Sequence, residues 1–106
     1  MLSETRTFLL ALARDAILAH TEEREWVEPP AIPEGAALRG GCFVSLHRLD
    51  GTLRGCVGTF DASQALWRNV VHMAVGAASR DPRFSRLSRE ELDRCVIEIS
   101  ALSPPT

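Results

Sequence analysis

Cys42-Phe43-Val44-Ser45-Leu46-His47-Arg48-Leu49-Asp50-Gly51-Thr52-Leu53-Arg54-Gly55-Cys56-Val57-Gly58-Thr59 is the stretch that decides the fold. Two β-rich runs flank Asp50-Gly51, a dipeptide whose backbone suits a two-residue type I′ turn. Such a turn sets Leu49 opposite Thr52, and the rest of the register follows. Arg48 then faces Leu53, His47 faces Arg54, Leu46 faces Gly55, Ser45 faces Cys56 and Val44 faces Val57. Side chains alternate between the two faces of a strand. One face carries Val44, Leu46, Leu53 and Val57 and reads as core. The other gathers Ser45, His47, Arg54 and Cys56, with Phe43 and Gly58 further along, so the polar and reactive groups share one side.

Upstream lies a connector over 21–41, in which Pro29, Pro30 and Pro33 remove backbone donors and Gly35, Gly40 and Gly41 interrupt regular structure. Before it, Phe8, Leu9, Leu12, Ala13, Ala16 and Ile17 recur at spacings of three and four. They predict an amphipathic helix over 4–20 with Ser3 as its cap. Downstream, Asp61 with Gln64 resembles a reciprocal cap and opens a helix predicted over 62–80, which Arg80-Asp81-Pro82 ends. Ser88 with Glu91 is a second capping box, opening a short helix over 88–93. Cys95 to Leu102 alternates as a strand, with Cys95, Ile97, Ile99 and Ala101 on one face and Val96, Glu98 and Ser100 on the other. This order predicts a single α+β domain over 1–106, with an antiparallel sheet packed against helices.

Composition sets outer limits. The 106 residues suffice for one small domain, and 45% hydrophobic with 25% charged residues is ordinary for a globular chain. A net charge of −2 argues against phosphate-backbone binding, so no nucleic-acid partner is expected. No apolar run reaches the length of a membrane span, the start lacks a signal-peptide pattern, and three cysteines do not make a disulfide framework. A cytoplasmic location with reduced thiols and no membrane partner is the expectation.

Cys56 is the candidate catalytic residue. A thiol becomes nucleophilic beside a cation or base, and the expected register puts Arg54 on its own face and His47 diagonally across. The alternative is a small packed residue in a strand whose Gly55 and Gly58 allow close approach. Arg54 and Arg83 are candidates to clamp a carboxylate or phosphate, with Asp81 orienting one of them. The alternative is a structural ion pair tying the post-helix turn to the sheet, and Glu98 is a further partner for either arginine. Cys42, His47, Cys56, His72 and Cys95 match no zinc spacing, and no phosphate loop, nucleophile elbow or dinucleotide fingerprint is present, so no metal and no cofactor are expected.

Leu53-Arg54-Gly55-Cys56-Val57-Gly58-Thr59-Phe60 resembles the hallmark motif of the AMMECR family, whose bacterial and archaeal members are called AmmeMemoRadiSam system protein A. Gly41 to Leu46, Asp81-Pro82-Arg83-Phe84 and Val96 to Pro105 resemble that family's preceding strand, post-helix turn and following strand with its exit. The resemblance implies an AMMECR-like fold of two unequal α+β parts with the motif cysteine near the cleft between them. Family members continue well beyond Pro104-Pro105, so the chain corresponds to the N-terminal portion of the domain, and homo-oligomers are one expectation for it. The candidate site read from the residues is Cys56 as the catalytic group with Arg54, Gly55, Gly58, Asp81 and Arg83 as ligand-binding residues. The family carries no settled reaction. Its label implies Memo-like and radical-SAM protein partners and with them a non-catalytic interaction module, while the one-sided cluster on the hairpin points to an enzyme acting on a small anion.

Overall fold

The computed structural model describes residues 3–102. Its elements are α1 (Ser3–Thr21), α2 (Glu34–Ala37), β1 (Cys42–Arg48), β2 (Leu53–Thr59), α3 (Leu66–Ser79), α4 (Arg89–Leu92) and β3 (Cys95–Ala101). The three strands form an antiparallel sheet in the order β2-β1-β3, so the hairpin is completed by the last strand on the far side of β1. α3 lies across β1 and β2, and α1 packs beside it and against β3. Both helices therefore cover one face of the sheet.

The core between them follows from the spacing of apolar residues. Leu9, Ile17, Cys42, Val44, Leu46, Val70 and Leu92 are fully buried. Each such large aliphatic side chain contributes about 1.5–3 kcal/mol relative to exposure. On β1 the alternation is regular: Cys42, Val44 and Leu46 point inward while Phe43, Ser45 and His47 are half-buried on the other face. Gly55 and Gly76 let β2 and α3 approach closely; a Cβ at Gly55 would run into the carbonyl oxygen of Ala77.

The turn differs from the expected one. Arg48 accepts from Gly51 N–H at 2.9 Å and donates to the Thr52 carbonyl at 2.8 Å, so the loop has three residues, Leu49, Asp50 and Gly51. Gly51 takes φ +89°, the left-handed conformation that glycine adopts without steric cost. Asp50 fixes the turn by accepting from the Thr52 N–H at 2.9 Å and hydroxyl at 2.6 Å, which a type I′ turn does not require. His47 consequently faces Leu53 and not Arg54. The expected pairing returns at Leu46–Gly55, Ser45–Cys56 and Val44–Val57, because Arg54 is bulged out between Leu53 and Gly55. Leu53, expected in the core, lies with His47 on the opposite face, and Arg54, expected on the Cys56 face, leaves it.

The start of α3 also differs. α3 begins at Leu66, with Ala65 as a cap that offers no side chain, while Asp61 instead accepts from Ser63 N–H at 2.9 Å in a turn of its own. Tertiary contacts replace the side-chain cap. Leu66 N–H donates to the Leu38 carbonyl at 2.8 Å, Gly40 N–H donates to the Gln64 carbonyl at 3.1 Å, and Arg39 bridges Ala65. Asn69 is buried and its Nδ2 donates at 2.8 Å both to the Gly40 carbonyl and to the Asp61 carbonyl, clamping the two connectors together. The connector before β1 contains the short α2, whose formation the prolines and glycines hid. The capping box at Ser88 and Glu91 is present at the start of α4. Ser103 to Thr106, read as the strand's exit, lies outside the described residues.

Candidate functional site

The sheet face turned away from α1 and α3 is a three-by-three grid set by the two registers. Its rows are Gly58–Phe43–Ser100, Cys56–Ser45–Glu98 and Leu53–His47–Val96. Val96, Glu98 and Ser100 are exposed, and the other members are half-buried. Phe43 lies flat over Gly58, where any side chain would collide with the ring, and Phe60 meets Phe43 edge-on with centroids 5.6 Å apart. Cys56 occupies the middle row. The Ser45 hydroxyl donates to its Sγ at 3.7 Å.

β2 is an edge strand, so its outward amides need acceptors from elsewhere. Asp81, which is buried, supplies one: its Oδ2 accepts from Cys56 N–H at 3.0 Å. The same carboxylate accepts from Arg83 N–H and Nε at 3.0 Å and from Nη2 at 2.7 Å. The Arg83 hydrogen bonds, then the Cys56 amide, hold the Asp81 carboxyl well below the usual carboxylate range. Arg83 is itself held above the ordinary guanidinium value, first by its hydrogen bond to Asp81, then by that group's charge, and least by the nearby Cys56. Its side chain is 58% exposed.

Arg54 has a different setting. It is 3% exposed, donates from Nε and Nη2 to the Glu91 carboxylate at 2.8 and 3.2 Å, and donates from Nη2 to the Ser85 carbonyl at 2.9 Å. Glu91 also accepts from Ser88 N–H, so one carboxylate caps α4 and anchors the bulge. The Arg54 pair is the main cause of the lowered Glu91 pKa. Phe84 sits among the guanidinium groups of Arg83, Arg54 and Arg48, 5.5, 5.7 and 6.0 Å from its ring centre.

The structure therefore joins the sequence-selected residues in two separate sets. Cys56, Asp81 and Arg83 meet at the edge of β2. Arg54 pairs with Glu91, which the sequence offered only as a capping residue. His47 does not meet Cys56: its Nε2 lies 3.5 Å from Glu98 and its Nδ1 lies 3.4 Å from the Gly51 carbonyl. Glu98 is thus the partner of His47 and of neither arginine. Gly55 and Gly58 serve contacts with Ala77 and Phe43. Cys42 is fully buried, and burial pushes its thiol up to about 11; burial and then the Glu91 charge push Cys95 upward. Among the described residues no group of three or more metal-ligating side chains converges, and no helix is long and apolar enough to cross a membrane.

These features define an α+β domain in which a glycine-rich edge strand is stapled by the turn that follows the second long helix. Residues 10–106 match the AMMECR1 family model, and the chain belongs to that family. It is similar to protein NEQ441 of Nanoarchaeum equitans, 35% identical over 97 residues, covering 92% of this chain and 54% of that protein. A Thermotoga maritima protein is 46% identical over 68 residues, covering 63% of this chain and 39% of that one. The crystal structure of uncharacterized protein PH0010 from Pyrococcus horikoshii superposes with a TM-score of 0.91 at 34% identity, over 99% of this chain and 54% of that chain. The chain thus spans about half the length of the relatives it matches.

Proposed function

We propose that this chain is a non-catalytic interaction module whose working surface is the uncovered sheet face around Cys56. One observation carries the reading: each cationic or imidazole side chain that would drive chemistry there already has a carboxylate partner. Arg54 is committed to Glu91, Arg83 to Asp81 and His47 to Glu98. Phe43, Phe60, Leu53 and Val96 are left around Cys56 and Ser45, with the exposed Glu98 carboxylate at one side of the middle row. Surfaces of this composition recognise protein partners through shape and burial. The Memo-like and radical-SAM proteins that the family resemblance implies are the partners to test first. Binding of the purified chain to each, measured by biolayer interferometry, is expected to weaken at least tenfold on Ser45→Arg, which fills the grid with charge. Binding that is unchanged by Ser45→Arg in a folded protein refutes the surface, and lack of binding to either class refutes those partners.

A second reading, catalysis by Cys56 on a small anionic molecule, is favoured by Arg83, which is more than half exposed and is held by the same carboxylate that accepts from the Cys56 amide. It predicts that alkylating Cys56 abolishes turnover of any anionic substrate found in a screen. Turnover that survives alkylation removes it.

A further inference from the structure

The inward face of β1 runs from Cys42 through Val44 and Leu46 and ends on a charge, Arg48. Arg48 is the register partner of Cys95 at the start of β3. Beside this pair a pocket of about 330 Å³ opens between the hairpin tip and the end of α4. Arg48, Leu49, Asp50, Glu91, Arg94 and Cys95 line it. Both arginines are exposed and have donors to spare. Arg48 uses only Nη1, which donates to the Thr52 hydroxyl at 3.3 Å and to the Leu53 carbonyl at 2.9 Å. Arg94 makes no side-chain hydrogen bond among the described residues, and neither arginine has a carboxylate within ion-pair distance there.

We propose that this pocket binds a small phosphate-bearing molecule through Arg48 and Arg94. The balance of charge in the lining favours an anion. Glu91 is neutralised by Arg54, whose Nε lies 2.8 Å away, which leaves Asp50 alone against the two arginines. Asp50 has its Oδ1 taken by the N–H and the hydroxyl of Thr52. Arg54 adds to the positive field without touching the ligand. It is 3% exposed, and its Nη1 is buried with no partner among the described residues, so its charge is only partly answered. Two guanidinium groups on separate elements suit a tetrahedral phosphate, which turns oxygens to both, whereas a planar carboxylate is served by one fork. The volume is at the low end of the roughly 300–1,000 Å³ usual for ligand pockets, so a phosphate with a few further atoms fills it. Leu49 and Cys95 give those atoms an apolar contact. Arg48 and Cys56 lie on opposite faces of the sheet, so this site is separate from the interaction face around Cys56.

Titration of the isotope-labelled full chain with inorganic phosphate, followed by amide NMR with sodium chloride holding the ionic strength constant, tests it. Saturable shifts are expected in the hairpin tip and from Glu91 to Cys95, with a Kd of about 1 mM. Arg48→Gln and Arg94→Gln, both on exposed side chains, are each expected to weaken binding about fivefold, and Arg6→Gln on the far end of α1 to leave it unchanged. Asp50→Asn keeps the acceptor for Thr52 and removes the opposing charge, so it is expected to tighten binding about threefold. Malonate in place of phosphate is expected to bind more weakly. Shifts that do not saturate, or that spread over every exposed arginine alike, overturn the proposal. So does binding that both Arg48→Gln and Arg94→Gln leave intact, or that Asp50→Asn weakens in a folded protein. Malonate binding as tightly as phosphate overturns the assignment of the ligand.

Discussion

Gly55→Ala adds one methyl group at the tightest contact between the sheet and α3. The new carbon would lie 3.1 Å from the carbonyl carbon of Ala77 and far inside contact distance of its oxygen. A carbon and a carbonyl oxygen tolerate about 3.3 Å, so β2 and α3 must separate by about 1 Å. The obstacle is helix backbone and not the tip of a side chain, so no rotamer change relieves it. Overpacking costs about 1–3 kcal/mol, and this site belongs at the upper end. Alanine recovers up to about 1 kcal/mol through the unfolded chain, which leaves a net loss of about 2 kcal/mol. A domain near 100 residues loses about 4–8 °C of Tm per kcal/mol, so Tm is expected to fall by roughly 10 °C. Thermal unfolding followed by circular dichroism at 222 nm reads this directly. Ala77→Gly supplies the control, because it leaves the offending carbonyl in place and does not rescue Gly55→Ala. A Gly55→Ala protein within about 2 °C of wild type, or one rescued by Ala77→Gly, refutes the reasoning.

Glu91→Ala is expected to destabilise more than Arg54→Met, because it strands a buried guanidinium whereas methionine fills the space. The loss for Glu91→Ala is about 2 kcal/mol by urea unfolding, below that of a fully buried pair because Glu91 is 42% exposed and screened. Equal losses, or the reverse order, count against the pairing. At neutral pH, brief treatment with iodoacetamide is expected to label Cys56 first, Cys95 slowly and Cys42 only on unfolding; peptide mass spectrometry showing Cys42 labelled in the folded protein contradicts this. Asp81 and Glu91 both have folded pKa values below their unfolded ones. Their stabilisation is complete above the unfolded values near about pH 4 and is lost as pH falls through the folded values. Urea midpoints are expected to drop between pH 5 and pH 3 with a shallower slope in Asp81→Asn, and an unchanged slope removes Asp81 from the account.

Much of the architecture was legible because it rests on periodicity. The stripe from Phe8 to Ile17, the alternation of Cys42 to Leu46 and the Ser88–Glu91 box each encode their element locally. The tip of the hairpin was not. Asp50-Gly51 fits two turns, and the choice depends on Asp50 bonding Thr52 and on Arg54 finding Glu91 across 37 residues. The start of α3 was misplaced because its cap is the backbone of Leu38 to Gly40, which no local pattern announces. Around Cys56, the Ser45 neighbour and the Asp81–Arg83 pair could be seen from register and spacing. Asn69 could not: an amide inside an apolar helix gives no hint of the two carbonyls it joins.

The turn and the bulge are also two offsets of opposite sense that cancel. The ladder from Cys42 to Leu46 pairs with Gly55 to Thr59 just as a simple two-residue turn would require. The inner hairpin is therefore indifferent to how its tip is wound. Arg54 is the one residue whose side is set by the tip: in a simple two-residue register it would share the face of Cys56, whereas the three-residue loop and the bulge together deliver it to Glu91.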